Sequence, residues 1–473
     1  MYTIKKAELF IKKHSDKTDD GQRPKFHLTP PVGWINDPNG LCFYKGEYHV
    51  FAQYHPYNTR WGSMHWYHAK SKNLIEFERL PVALAPDEKD EDGCYSGGAT
   101  VNGLDPDELI LFYTKARYGS PFRKGRQEQA KAVTRDGINF TKLGAVIGAD
   151  KLPEGASAED FRDPKPVYRD GKYYVFVGGR DERGRGVIFI FVSDDLNGFG
   201  YFSKIDCGGQ LAAMGECPDA FRLDGREILL ASVIKPKTKT GESDGHSVKA
   251  FFLNADFERR VFAVERVQEL DCGDYYAPQT LLDDKNRRIS IAWMGTWNGK
   301  YYPRKSKNGY CGALTLPVVL SVGGDGLLRS EPIAELDLFR GARAEFADGE
   351  KLSKCLDLIF EIDPLSDFWA RLCGQNEYIE FGAENGRIYY ASVCGAAKAS
   401  GGKRYSRYAY TEKISLRVIT DVSTIEIFVD SGRETISSRF FLRCDCFILR
   451  LSENRAALKK ITAYELSAPP SAP

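Results

Sequence analysis

Apolar residues recur at helical spacing only at the start of the chain. Ile4, Ala7, Phe10 and Ile11 predict one short amphipathic helix over 2–14, closed by the polar stretch 16–23 and packed as a cap on the main body. From residue 26 the period changes. Short apolar and aromatic runs of strand length follow one another: LCFYKGEYHVFAQY, ELILFYTKA, PVYRDGKYYVFVGG, GVIFIFVS, REILLASVI, HSVKAFFL and RISIAWMG. Lys45-Gly46, Asp170-Gly171 and Asp224-Gly225 lie between such runs and predict hairpin turns. The pattern loosens over 332–347, and a second series begins with LDLIFEID, RIYYASV, KISLRVITD and STIEIFVDSG. The chain is therefore expected to be all-β, its first and larger part a propeller or large sandwich and its second a β-sandwich. The expected units are a helical cap over 1–22, a β domain over 23–338 and a sandwich over 339–473. No tight internal repeat is visible, so any blades have diverged.

Composition narrows the function classes. A chain of 473 residues is long for one core, in keeping with two domains. Its 66 basic and 65 acidic residues form no basic stripe, which argues against a nucleic-acid partner and for a neutral, polar ligand. The eleven cysteines are odd in number and include no C-x-x-C pair, a pattern at home in a reducing compartment. The N-terminal segment lacks an apolar signal core, and no apolar run reaches the ~20 residues that span a bilayer. The expectation is a soluble, cytoplasmic protein without a membrane partner.

Three carboxylates stand in unusual settings. Asp37 lies between Asn36 and Pro38 in HLTPPVGWINDPNG, residues 27–40, close to Trp34. A proline cannot donate to a strand ladder, and Asn39-Gly40 favours a turn, so Asp37 is expected at a strand start or tight turn. Asp163 again precedes a proline and follows Arg162. Glu216 is set among small and apolar neighbours in MGECPD. An apolar setting and a nearby negative charge would raise its pKa, as a general acid near neutrality requires. Taken singly, each is an ordinary turn or loop acid.

Together, the blocks resemble glycoside hydrolase family 32, which includes invertases and sucrose-6-phosphate hydrolases. The W-[IM]-N-D-P-N-G block is intact as residues 34–40, R-D-P as 162–164 and E-C-P as 216–218. Further matching pieces, among them DYYAPQT, WMGTW, GALTLP and STIEIF, follow in order to about residue 451. The resemblance implies a five-bladed β-propeller followed by a β-sandwich. It also implies a retaining β-fructofuranosidase acting on sucrose, sucrose 6-phosphate or short fructo-oligosaccharides.

By this resemblance Asp37 is the nucleophile, Glu216 the general acid/base, and Asp163 the acid that grips ring hydroxyls and stabilises the transition state. Asn36 and Gln53 are expected to contact the fructosyl unit or orient the nucleophile. Trp34, Trp61 and Trp297 are candidate aromatic walls against which sugar faces pack, with propeller core as the other reading. Tyr95-Ser96 stands where the family usually has Phe-Ser, and the hydroxyl is kept. Arg162 is expected to fix the charge of Asp163, and Tyr275 and Tyr276 to lie near the acid/base. No cofactor or metal is implied, and the expected partner is a small sugar. Monomer and homodimer both stay open.

Tyr310-Cys311-Gly312 and Val318-Val319 depart from the usual family pattern outside the acid motifs and bear on subfamily rather than chemistry. His65 and His68 have i, i+3 spacing without an evident third metal ligand. The basic stretch 117–131, with Arg117, Arg123, Lys124, Arg126 and Lys131, reads either as a solvated loop or as a holder for a substrate phosphate. The other functional readings are an exo-fructanase acting on inulin or levan and a sugar-binding propeller without catalysis. Three intact acids argue against the last.

Overall fold

A computed structural model describes residues 2–18, 21–120, 124–234, 246–295, 297, 309–344, 347–394, 402–454 and 457–467. Its described residues form seven sheets and one α-helix, Ile4–His14. Thr3 caps the helix by accepting from Lys6 N, and Ala7 and Ile11 face inward. Glu8 ties the helix to the body through Arg79 at 2.7 Å and Val82 N at 2.9 Å.

Five sheets follow in sequence as the blades of a propeller. Their first strands are Gly33–Tyr44, Gly93–Asn102, Phe161–Arg169, Gly215–Leu223 and Tyr276–Leu282. These first strands touch their neighbours in a closed ring, the fifth returning to the first, so they line the axis. The chain leaving blade 5 completes the closure. Tyr310–Cys311 pairs parallel with Gly33 and Trp34, and Leu314 N donates to Leu28 O at 2.9 Å. The hairpin turns fall where the sequence predicted them. Lys45-Gly46, Asp170-Gly171 and Asp224-Gly225 all hold positive φ at both residues, as two-residue turns that match strand twist require.

The blades do share a repeat, carried by geometry rather than by a run of identities. Each first strand slips register with its neighbour at a matching place: at 35–38, 95–97, 162–165, 216–219 and 276–279; those of blades 1 and 2 slip a second time, at 39–42 and 101–102. A proline sits at four of the five matching slips: Pro38, Pro164, Pro218 and Pro278. Asp163, Cys217 and Ala277, each just before its proline, take φ of 65°, 49° and 53°. A bulge re-aims side chains and ends ladder pairing, which is where a residue without an N–H costs least. A second repeat closes the third strand of blades 1 to 3, where Ser71, Thr134 and Ser193 accept from the backbone N–H three residues on.

Two six-stranded sheets follow, between Arg340 and Leu466. Leu358, Phe360, Leu416, Val418, Ile425 and Ile427 of one face Ile379, Phe381, Leu372 and Leu449 of the other in a continuous apolar layer. Fully burying each such side chain contributes roughly 1.5–3 kcal/mol. The fold is a five-bladed propeller followed by a β-sandwich. A polar seam joins the two. His27 Nδ1 meets Asp421 Oδ2 and its Nε2 meets Glu426 Oε1, both at 2.8 Å. Asp421 also accepts from the backbone N–H of Lys25 and Phe26, and Glu426 from Leu316 N. The His27 pair of carboxylates thus holds both ends of the propeller chain against the sandwich.

Candidate active site

The slips bring distant residues together in two tiers around the axis. The residue before each slip's proline supplies Asp37, Asp163, Cys217 and Ala277, with Ser96 at the matching place in blade 2. One residue earlier stand Asn36, Tyr95, Arg162, Glu216 and Tyr276.

In the first tier Ser96 Oγ donates to Asp37 Oδ2 at 2.9 Å. The Cys217 thiol lies 3.6 Å from Asp37 Oδ2 and 3.6 Å from Asp163 Oδ2, so it separates the two carboxylates and donates weakly toward both. Cys217 N also donates to Asp163 Oδ2 at 2.9 Å, and Asp163 N donates to Thr114 Oγ1 at 2.9 Å. Asp37 Oδ1 is buried and makes no hydrogen bond. Burial, then the charge of Glu216, raises Asp37 to about 6, against hydrogen bonds from Asn36, Ser96 and Cys217 that favour its ionised form. Burial likewise raises Asp163 to about 7, opposed by the charge of Arg162 and reinforced by Glu216 and Asp37.

In the second tier Arg162 Nη2 and Nε reach Glu216 Oε1 at 2.6 and 3.2 Å. Tyr276 OH donates a short hydrogen bond to Glu216 Oε2. Burial and the charge of Glu216 hold the Tyr276 phenol well above its ordinary pKa, so it stays a donor. One expectation changes here. Glu216 rests between a guanidinium and a phenol rather than in an apolar setting. Arg162 makes its closest hydrogen bonds to Glu216, one blade away, and favours the ionised form of Asp163 through its charge, as expected. The cause is the bulge, which turns Arg162 and Asp163 to different tiers.

The remaining predicted residues surround this centre. Trp34 is buried against Trp293 and Trp297, and its Nε1 donates to Asn36 Oδ1 at 2.8 Å, holding the amide beside Asp37. Gln53, also buried, donates to Cys94 O at 3.0 Å. Trp61 is 42% exposed, with its ring centroid 5.6 Å from Tyr95 and 6.3 Å from Tyr118, an open aromatic shelf. Tyr275 is partly buried beside this cluster, while Tyr276 alone of the two touches an acid.

Sequence reasoning left Cys217, Thr114 and Tyr118 unassigned. The signal for Cys217 was available as the third residue-before-proline, in register with Asp37 and Asp163. Thr114 and Tyr118 carry no local signature, because their role comes from a neighbouring strand.

Of the basic stretch, Arg123 lies outside the described residues. Arg126 pairs with Glu128 at 2.9 Å, and Lys131 turns inward to Leu196 O at 2.9 Å. Arg117 lies 4.0 Å from Asp90. His65 Nδ1 donates to Ser63 O at 2.9 Å, and His68 Nε2 meets His49 Nδ1 at 3.0 Å, so the two histidines serve separate contacts. No helix among the described residues is long and apolar enough to cross a membrane.

A buried carboxylate with one free oxygen faces a second acid held by a cation and a phenol. That is the inventory of a glycosidase that uses one carboxylate as nucleophile and another as proton donor. Comparison with known proteins agrees. Residues 27–332 match the N-terminal domain of glycosyl hydrolases family 32, and residues 384–465 match its C-terminal domain. A sucrose-6-phosphate hydrolase from Zymomonas mobilis is 33% identical over 456 residues, covering 88% of this chain and 86% of the relative. A raffinose invertase from Escherichia coli is 31% identical, covering 93% and 94%. The solved structure of a family 32 β-fructofuranosidase from Bombyx mori superposes with a TM-score of 0.87 at 28% identity, covering 98% of each chain. The chain belongs to glycosyl hydrolase family 32.

Proposed function

We propose that this enzyme hydrolyses the terminal β-D-fructofuranosyl bond of sucrose, sucrose 6-phosphate and short fructo-oligosaccharides, with retention at the anomeric carbon. The observation that carries the reading is the convergence of Asp37, Asp163 and Glu216 from three blades, each with a different set of partners. Relatives named sucrose-6-phosphate hydrolase and raffinose invertase support the substrate class.

Asp37 Oδ1, the oxygen without a hydrogen bond, attacks the anomeric carbon. Ser96 and Cys217 hold the other oxygen and fix the carboxylate plane. Glu216 protonates the departing glycosidic oxygen, then takes a proton from the water that releases fructose. Loss of the Glu216 proton is stabilised at once by Arg162 and Tyr276. Asp163 binds ring hydroxyls as positive charge grows on the sugar, an interaction stronger in the transition state than in the ground state. The leaving sugar packs on the exposed Trp61 face, a reading supported by the neighbouring rings of Tyr95 and Tyr118. None of the eleven cysteines is joined in a disulfide, a state that fits a reducing, cytoplasmic site of action.

The test is a hydrolysis panel of sucrose, sucrose 6-phosphate, raffinose, 1-kestose, inulin and levan, with Asp37→Asn as control. Rapid release of fructose from the small substrates, abolished in Asp37→Asn, is expected. Preference for the polymers, or near-normal activity of Asp37→Asn, overturns the reading.

A further inference from the structure

We propose that the β-sandwich is a working part of the acid/base. Arg404 and Ser438, acting through Asp274, fix the backbone segment that aims the Tyr276 hydroxyl at Glu216. The inference rests on the reading of Glu216 as general acid/base.

The segment 271–274 leads from blade 4 into the first strand of blade 5, and it is stitched to the sandwich strand Glu434–Arg439. Cys272 N donates to Thr435 O at 2.9 Å and Asp274 N to Ser437 O at 2.6 Å. The Asp271 carboxylate accepts from Thr435 Oγ1 at 2.7 Å and Ser437 Oγ at 2.8 Å. At Gly273 a Cβ would stand 1.9 Å from Ser437 O, so the two backbones meet as closely as glycine allows. Asp274, 3% exposed, accepts from Arg404 Nη2 at 2.8 Å and from Ser438 Oγ at 3.0 Å. Although burial opposes it, the charge of Arg404 keeps Asp274 below its ordinary pKa, so the pair stays ionised.

Two residues after Asp274 comes Tyr276, and Ala277 N is held on the far side by Ser232 Oγ at 2.9 Å. The phenol is thus clamped between sandwich and blade 4, its ring edge-on to His246 at 5.5 Å and Trp293 at 6.4 Å. Among the described residues, other contacts across the seam, such as His27 with Asp421 and Ser330 N with Gly432 O, adjoin no residue hydrogen-bonded to Asp37, Asp163 or Glu216. This one does. A proton donor misplaced by about 1 Å can lose on the order of 100-fold in rate, so a seam contact two residues from Tyr276 has kinetic leverage. Arg404, Ser438 and Asp274 are positioning residues in this account.

The experiment compares two substrates with unequal need for a proton: sucrose, and β-D-fructofuranosyl fluoride, whose fluoride departs without general acid help. The value of kcat/KM reports the first, fructosyl-transferring step. Asp274→Asn and Arg404→Lys are expected to lower kcat/KM for sucrose by about tenfold and to leave the fluoride within about twofold. Ser438→Ala, a milder change that keeps the fold should Asp274→Asn not, is expected to move in the same direction, and Tyr276→Phe to reproduce the full pattern. Parallel losses on both substrates, or no loss on either, would mean that the seam is structural only and overturn the proposal. Glu216→Gln is the reference. If it too lost both substrates equally, the acid/base reading itself would be at fault, a result distinct from failure of the sandwich link.

Discussion

At the scale of single residues, the site concentrates carboxyl charge where water is excluded. A rise of Asp37 from 3.8 to about 6 corresponds to ~3 kcal/mol held against the ionised form in the fold. Because the folded pKa lies above the unfolded one, this cost is absent near pH 4 and complete above about pH 6. Asp37→Asn should therefore abolish activity and raise Tm at neutral pH, with the gain vanishing near pH 4. A scan of Tm against pH for both proteins checks it. The same values predict that kcat/KM falls as pH drops through about 6–7, since Asp37 and Asp163 gain protons there. As the two acids interact through one thiol, the limb belongs to the pair rather than to either residue.

The three acids were legible because each sits beside a proline or within a short block that resembles a family motif. The partners of Glu216 were not. Arg162 is 54 residues away and Tyr276 is 60 residues away in the chain, and only the ring of first strands makes them neighbours. The expectation of an apolar setting came from Met214 and Gly215, which flank Glu216 in sequence while its carboxylate faces Arg162 and Tyr276.

At the scale of elements, strands and turns read well because their signals are local. The period-two runs, the Lys45-Gly46 type of turn and the single helix all depend on residues a few positions apart. The blade repeat escaped notice because it is a repeat of conformation. The slip that the five first strands share is met by Asp-Pro, Ser-Gly, Asp-Pro, Cys-Pro and Ala-Pro, which share little as letters. Close approach also sets a limit at this scale. Gly273→Ala would press a methyl against Ser437 O, and a loss of about 1–3 kcal/mol in stability is expected, measured by denaturant unfolding. A variant of unchanged stability would mean that the segment is free to move off the sandwich.

At the scale of the molecule, propeller and sandwich share a buried charged seam. Burial alone would depress His27, yet hydrogen bonds and charge from Asp421 and Glu426 raise it to about 9. Its folded pKa exceeds the ordinary 6.5, so the stabilisation is fully present below that value and is lost as pH rises through about 9. His27→Gln should lower Tm at neutral pH, and the difference from the parent should shrink between about pH 8 and 10. A constant difference across that range would rule out a charged His27. The seam could not be read from sequence, because His27 and Asp421 lie 394 residues apart.

The proposed mechanism requires a covalent bond between Asp37 and the fructosyl unit. Glu216→Gln, deprived of its base for the second step, is mixed with β-D-fructofuranosyl fluoride, quenched in acid and digested for peptide mass mapping. One added fructosyl residue is expected on the peptide that carries Asp37, localised to that side chain. A label on Asp163 or elsewhere, or turnover of the fluoride without any adduct, would contradict the mechanism.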